Sequence, residues 1–307
     1  MLYEIKLSGT EQDDGKISLY RIGLLSQSMT DIASAALRLR LMGVSTERGR
    51  KNDRFINAIN INLSNLKKGS TILELECSPF SETLAGQQGD AFNAEILEKL
   101  PTQTPITLII ESFRAALNYK EESNQLDKGL LKKLKHFEKV FISDKESVTF
   151  TNQGSISELS LKQIDFKKIQ QLEESIPESQ KIIVNGIVDE LKYSKSRILI
   201  ATKEGAINGI LSDSFEPEEI AKYWGKSLTI KGTAHYQPNG KMSFIVIEKI
   251  FEPGEADQYF SRTSKKETIE QQIQRQQKQF KQSNHINEIV GQWPDDEALE
   301  EILNDLD

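Results

Sequence analysis

The chain has 307 residues, a length that suits roughly two domains, each with a core of buriable size. Hydrophobic residues make up 37%; even with the 18 glycines the apolar share is slightly below that of ordinary globular chains, so part of the chain is expected not to pack. The 39 basic residues against 46 acidic ones give a net charge of -7, which argues against a nucleic-acid coat along the whole chain and leaves room for a local basic patch.

Cys77 is the single cysteine, which excludes an internal disulfide, and Met1 to Lys6 lacks the basic stretch and apolar run of a signal peptide. No apolar run approaches the about 18 residues of a membrane span, so the sequence predicts a cytoplasmic protein without a membrane segment. His136, His235 and His285 are scattered, and no cluster has the spacing of a zinc site. There is no G-x-S-x-G, G-x-x-x-x-G-K-[ST] or G-x-G-x-x-G. A non-enzymatic protein with no cofactor and no metal is the expectation.

In chain order, Leu2 to Leu7 alternates as a strand does, and Leu19 to Met42 carries Ile22, Leu25, Met29, Ile32, Ala36 and Leu39 at helical spacing. That stripe predicts a long amphipathic helix packed into a core. Residues 55–64, with Ile59, Ile61 and Leu63 alternating, pair in expectation with Ile72 to Cys77 as a hairpin. Cys77 ends it among Glu74 and Glu76, as a buried structural thiol rather than a nucleophile. Two further helices carry Ile106, Ile109, Ile110, Phe113 and Leu117, then Leu130, Leu134, Phe137 and Phe141. Together these predict an α+β unit over residues 1–145, and residues 146–180 read as a connector.

From there a β rhythm sets in, with strands expected at Ile182 to Asp189, Ile198 to Thr202, Ala206 to Leu211, Leu228 to Ala234 and Met242 to Ile250, and a short helix at Pro217 to Tyr223. Five short strands with a helix after the third suggest an OB-like small β-barrel over residues 181–253. Residues 254–285 form a polar, glutamine-rich, helical linker, basic over residues 262–281 with Arg262, Lys265, Lys266, Arg275, Lys278 and Lys281. Residues 286–307 then hold eight carboxylates and no lysine or arginine.

Three constellations could carry function. In the acidic tail, Trp293-Pro294-Asp295-Asp296-Glu297 precedes Leu299, Ile302, Leu303 and Leu306, so Asp295 can cap a short helix with acids in its first turn and an apolar stripe on one face. Such a helix needs a groove, either on the protein's own body or, as the long polar linker and the tryptophan anchor favour, on a partner with a basic surface. The barrel is the second, since OB folds often bind single strands, but its second and third strands offer no aromatic platform and residues 181–252 carry ten basic against nine acidic groups. Tyr223, Trp224 and Phe244 read as core or plug aromatics. The third is Arg38, Arg40, Arg48, Arg50, Lys51 and Arg54, a solvated helix end and loop, or a phosphate contact on DNA.

The ending Gly291-Gln292-Trp293-Pro294-Asp295-Asp296-Glu297, followed by Glu300-Glu301, resembles that of a loosely defined group of large bacterial antitoxin-like proteins, partners of PIN-domain ribonuclease toxins, whose endings run G-[KR]-W-P-G-D-E-x-x-E-E. Gln292 and Asp295 depart from that form. The barrel motifs Val184 to Val188, Gly205 to Gly209 and Lys231 to Gly240 are similar to the same group's, and all together span about a third of the chain. The resemblance implies a protein that restrains a metal-dependent ribonuclease with an acidic active site. The tail would then cover the toxin's RNA-entry surface, while Arg262, Lys265, Arg275 or Lys278 reaches its acidic site. The alternative expectation is a nucleic-acid-binding adaptor that uses Arg38 to Arg54 or the barrel.

Overall fold

Alternation in the first strand sets the architecture. β1 (Leu2–Ser8) buries Tyr3, Ile5 and Leu7 and turns Leu2, Glu4 and Lys6 to the other side, the period of two of a half-buried strand. The computed structural model describes residues 1–9, 16–46, 53–67, 71–84, 100–119, 126–152, 156–192, 197–211, 215, 221–237, 239–254, 257, 260, 267, 268, 272, 273, 276 and 277. The chain divides into two units, Met1–Lys266 and Glu267–Asp307. The first holds mixed α+β structure with two sheets, one of them a closed five-stranded barrel.

α1 (Leu19–Met42) begins where Ser18 accepts a hydrogen bond from the Arg21 N–H and ends at Gly43, whose φ of 69° lets its own N–H close on the Leu39 carbonyl. An L side chain resists that left-handed conformation, so glycine is what stops the helix there. The predicted stripe enters the protein's own core: Leu25, Met29, Ile32, Ala36 and Leu39 are buried and Ile22 is half-buried.

The expected hairpin is present, but its first arm starts later than residue 55 and only residues 62–64 of the predicted stretch enter it. That stretch holds most of α2 (Asp53–Ala58) and then the start of β2 (Asn62–Lys67), which pairs with β3 (Thr71–Glu76). Phe55, Ala58 and Ile59 are buried at helical spacing, a period that the alternation of Ile59, Ile61 and Leu63 concealed. After α3 (Phe80–Thr83), α4 (Pro105–Leu117) starts with a reciprocal capping box between Thr104 and Thr107 and has proline at its first position. α5 (Lys128–His136) is capped by Asp127 and runs into a 3-10 turn at Phe137–Val140.

The connector expected over 146–180 belongs to the first layer instead. β4 (Ser147–Asn152) and β5 (Ile156–Lys162) complete an all-antiparallel sheet of order β2-β3-β1-β4-β5, and α6 (Asp165–Ser175) buries Phe166 and Ile169 in the same core. The α+β part therefore runs to about residue 176, where Ile176 is still in that core. Helices cover one side of the sheet. On the other, Lys67 bridges Glu4 at 2.6 Å and Glu74 at 2.7 Å, and these two carboxylates hold its ammonium above the ordinary range.

The barrel has its own core of Val184, Val188, Ile198, Ile200, Ile207, Leu211, Leu228, Ile230, Ile245 and Ile247. Its strands are β6 (Gln180–Lys192), β7 (Arg197–Thr202), β8 (Gly205–Leu211), β9 (Ser227–Tyr236) and β10 (Met242–Phe251), closed in the order β10-β8-β7-β6-β9 with β10 parallel to β8 and antiparallel to β9. Closure depends on small residues where strands meet: a Cβ on Gly232 would stand 2.2 Å from the Val246 carbonyl oxygen. The helix expected at Pro217 to Tyr223 falls mostly outside the described residues. In the second unit, the Gln272 N–H donates to the Thr268 carbonyl at 2.9 Å.

Candidate interaction surfaces

The Arg38 to Arg54 segment divides between interior and surface. Arg38 and Arg40 are buried, the first with its guanidinium 5.3 Å from the Phe55 ring centroid, the second 3.7 Å from Glu111. Burial lowers the Arg40 pKa and Glu111 partly restores it. Both arginines hold α1 to its neighbours, a correction to their reading as exposed phosphate contacts. Arg48, Arg50 and Lys51, and the side chain of Arg54, lie outside what the structure describes. So do Trp293, Pro294, Asp295, Asp296, Glu297, Leu299, Ile302, Leu303 and Leu306 of the tail and Arg262, Lys265, Arg275 and Lys278 of the linker.

Sequence reasoning missed the most buried charge pair among the described residues. Arg21 meets Glu146 at 2.6 and 3.2 Å and donates from Nε to the Val140 carbonyl, while Glu146 also accepts from the Ile142 N–H. Both side chains are almost fully buried, so the hydrogen bonds are needed to offset the loss of hydration. A separation of 125 residues gave no signal for it. The pair is structural and binds the start of α1 to the turn before β4. Cys77 is buried as expected; burial pushes its thiol upward, against hydrogen bonding with Thr104, which makes it a poor nucleophile. Among the described residues, no group of three or more His, Cys, Asp or Glu could hold a metal ion, and no helix is long and apolar enough to cross a membrane.

The outside of the barrel is uneven. At the start of β7 the barrel approaches the end of α1. Arg197 is buried, with Nη1 3.9 Å from where a Cβ on Gly43 would stand, and Asn208 in β8 is half-buried, with Oδ1 sealed from solvent. On the adjoining strands Phe244 stacks on His235 at 4.4 Å, and His235 also meets Ser179 at 3.0 Å. Burial lowers the His235 pKa, and the Asp127 carboxylate opposes that shift. Phe244 is thus a buried aromatic on the outside of the barrel, Tyr223 packs against its core, and Trp224 departs from the expected plug role, being 68% exposed.

The β6–β9–β10 side is open at its edges and closed at its centre, where Thr229 is buried and donates to Asp257 at 2.7 Å while accepting from Asn185 at 3.1 Å. On it stand Ile183, Ile187 and Phe251, 41%, 49% and 45% exposed, beside Lys181, Lys231 and Lys249. Lys231 and Lys249 are direct cross-strand partners. Glu248 beside them accepts from Lys181 at 3.3 Å and from Thr233 at 3.0 Å. No family model, no curated protein and no solved structure matches the chain.

Proposed function

We propose that the protein is a non-enzymatic binding protein of the antitoxin kind, which holds a PIN-domain ribonuclease through residues 254–307. The observation that carries this reading is the pattern of residues 286–307: eight carboxylates without a lysine or arginine, around a Trp293-Pro294 anchor and the stripe Leu299, Ile302, Leu303 and Leu306. Such a segment suits a groove with a basic rim. Linker cations Arg262, Lys265, Arg275 and Lys278 would reach the acidic, metal-binding centre that the tail's own charge avoids.

We read the barrel as OB-like, from the spatial order first, second, third, fifth, fourth and the parallel pairing of third and fifth strands. In this reading it is a scaffold. The second and third strands, where single-stranded nucleic acid would be sought, carry no aromatic side chain, and Arg197 between them is buried against α1. The adaptor alternative loses Arg38 and Arg40 in the same way.

The test is co-expression with the neighbouring open reading frame, comparing the full chain, a Trp293→Ala and Leu303→Glu double variant, and a chain ending at Lys266. The expected result is a small protein retained by the full chain alone, which cleaves RNA once released. Equal retention by all three chains defeats the reading. Recovery of nucleic acid instead, lost steeply with added salt, would hand the function to the adaptor.

A further inference from the structure

We propose that the outer face of β6, β9 and β10 is a second docking surface, which takes an acidic amphipathic helix of a partner protein. Two features of this face are costly for an isolated protein. Ile183, Ile187 and Phe251 remain exposed on strands whose opposite side fills the barrel. Lys231 and Lys249 stand directly across the ladder from each other, an arrangement of like charges that destabilises a sheet, and neither forms a salt bridge among the described residues. Glu248 attracts Lys231 but does not offset the pair, because its single carboxylate is shared with Lys181 and Thr233. A carboxylate brought by a partner would.

The spacing selects a helix. Ile183 and Ile187 lie four residues apart on one side of β6, about 13 Å along an extended strand, and two turns of α-helix rise about 11 Å. A helix laid along β6 therefore sets apolar residues two turns apart over the two isoleucines. Carboxylates on its flank would then face Lys231 and Lys249. Nucleic acid suits the face less well, since the two isoleucines offer no stacking platform. A second copy of the face would oppose lysine to lysine. The face is built from residues other than 286–307 and does not depend on what they bind.

The experiment uses the full chain and a fluorescein-labelled synthetic helix of glutamate and leucine, about 15 residues or four turns long, with a scrambled peptide of the same composition. Fluorescence polarisation should show binding to the intact protein that falls about tenfold in a Lys231→Glu and Lys249→Glu double variant. It should fall several-fold in Ile183→Ser and for the scrambled peptide, because amphipathic burial is lost. These positions are exposed, and circular dichroism would establish that each variant is folded. A Leu303→Glu chain should bind the peptide normally, which keeps this result distinct from that of the tail. Equal binding by all variants, or no binding, overturns the proposal. Displacement of the peptide by a thymidine oligonucleotide with a steep salt dependence, or self-association lost in the lysine variant, overturns it in favour of nucleic acid or a second copy.

Discussion

The two cores of the first unit are built by different means. In the α+β part, five phenylalanines interlock: Phe137 lies 5.4 Å from Phe113 edge to face, 6.1 Å from Phe150, 6.5 Å from Phe141 and 6.4 Å from Phe166, and a buried arginine–glutamate pair closes the adjoining turn. The buried barrel core is aliphatic throughout. Rings hold one another at preferred angles, whereas branched aliphatics fill volume with less regard to direction. The α+β part is therefore specified by a few side chains, and the barrel by backbone pairing and by the glycines that allow it to close.

The largest expected effect comes from removing the hub of the ring cluster. Phe137→Ala should cost about 3–5 kcal/mol, since the site is fully buried and four rings lose their partner. The matching truncation in the barrel, Ile230→Ala at an equally buried site, should cost less, about 2–3 kcal/mol, since no ring contacts go with it. Guanidinium titrations of both variants, followed by circular dichroism, would compare the two. Equal losses would remove the distinction between the cores.

A second change targets the backbone rather than the side chains. Gly232→Ala places a methyl group within 2.2 Å of a strand carbonyl, so β9 and β10 must part locally, at about 1–3 kcal/mol. Hydrogen exchange should locate the loosening in the β9–β10 ladder and leave the five-stranded sheet protected. Uniformly faster exchange across both sheets would mean that the two cores unfold as one.

What the sequence disclosed follows the same division. Period alone placed α1 and all five barrel strands within a few residues, because each has one face to bury. It failed where long-range pairing decides. β4 and β5 looked like a connector since their neighbour in the sheet, β1, lies some 140 residues earlier, and Arg38 and Arg40 looked like surface charge because their burial depends on Phe55 and Glu111. Lys231 and Lys249 were unremarkable in the linear sequence, as only the ladder register brings them opposite each other. For the tail, composition and spacing remain the whole argument.

The smallest predicted effect concerns the seam between the two parts. His235, in the barrel, stacks on Phe244, meets Ser179 and feels Asp127, which also receives hydrogen bonds from the Ser45 and Leu130 N–H groups. Burial disfavours the charged imidazole, so its folded pKa lies below the ordinary 6.5. As pH falls, the unfolded chain takes up this proton first. Stability contributed here is thus complete above about pH 6.5, declines below it until the folded imidazole also protonates, and then levels. His235→Gln should flatten that part of the urea-measured stability profile. Asp127→Asn, which keeps a capping oxygen but removes the opposing charge, should depress the folded pKa further and widen the decline. If both variants retain the parent slope, the histidine does not report on the seam, and the contact between barrel and α+β layer rests on Arg197 and α1 instead.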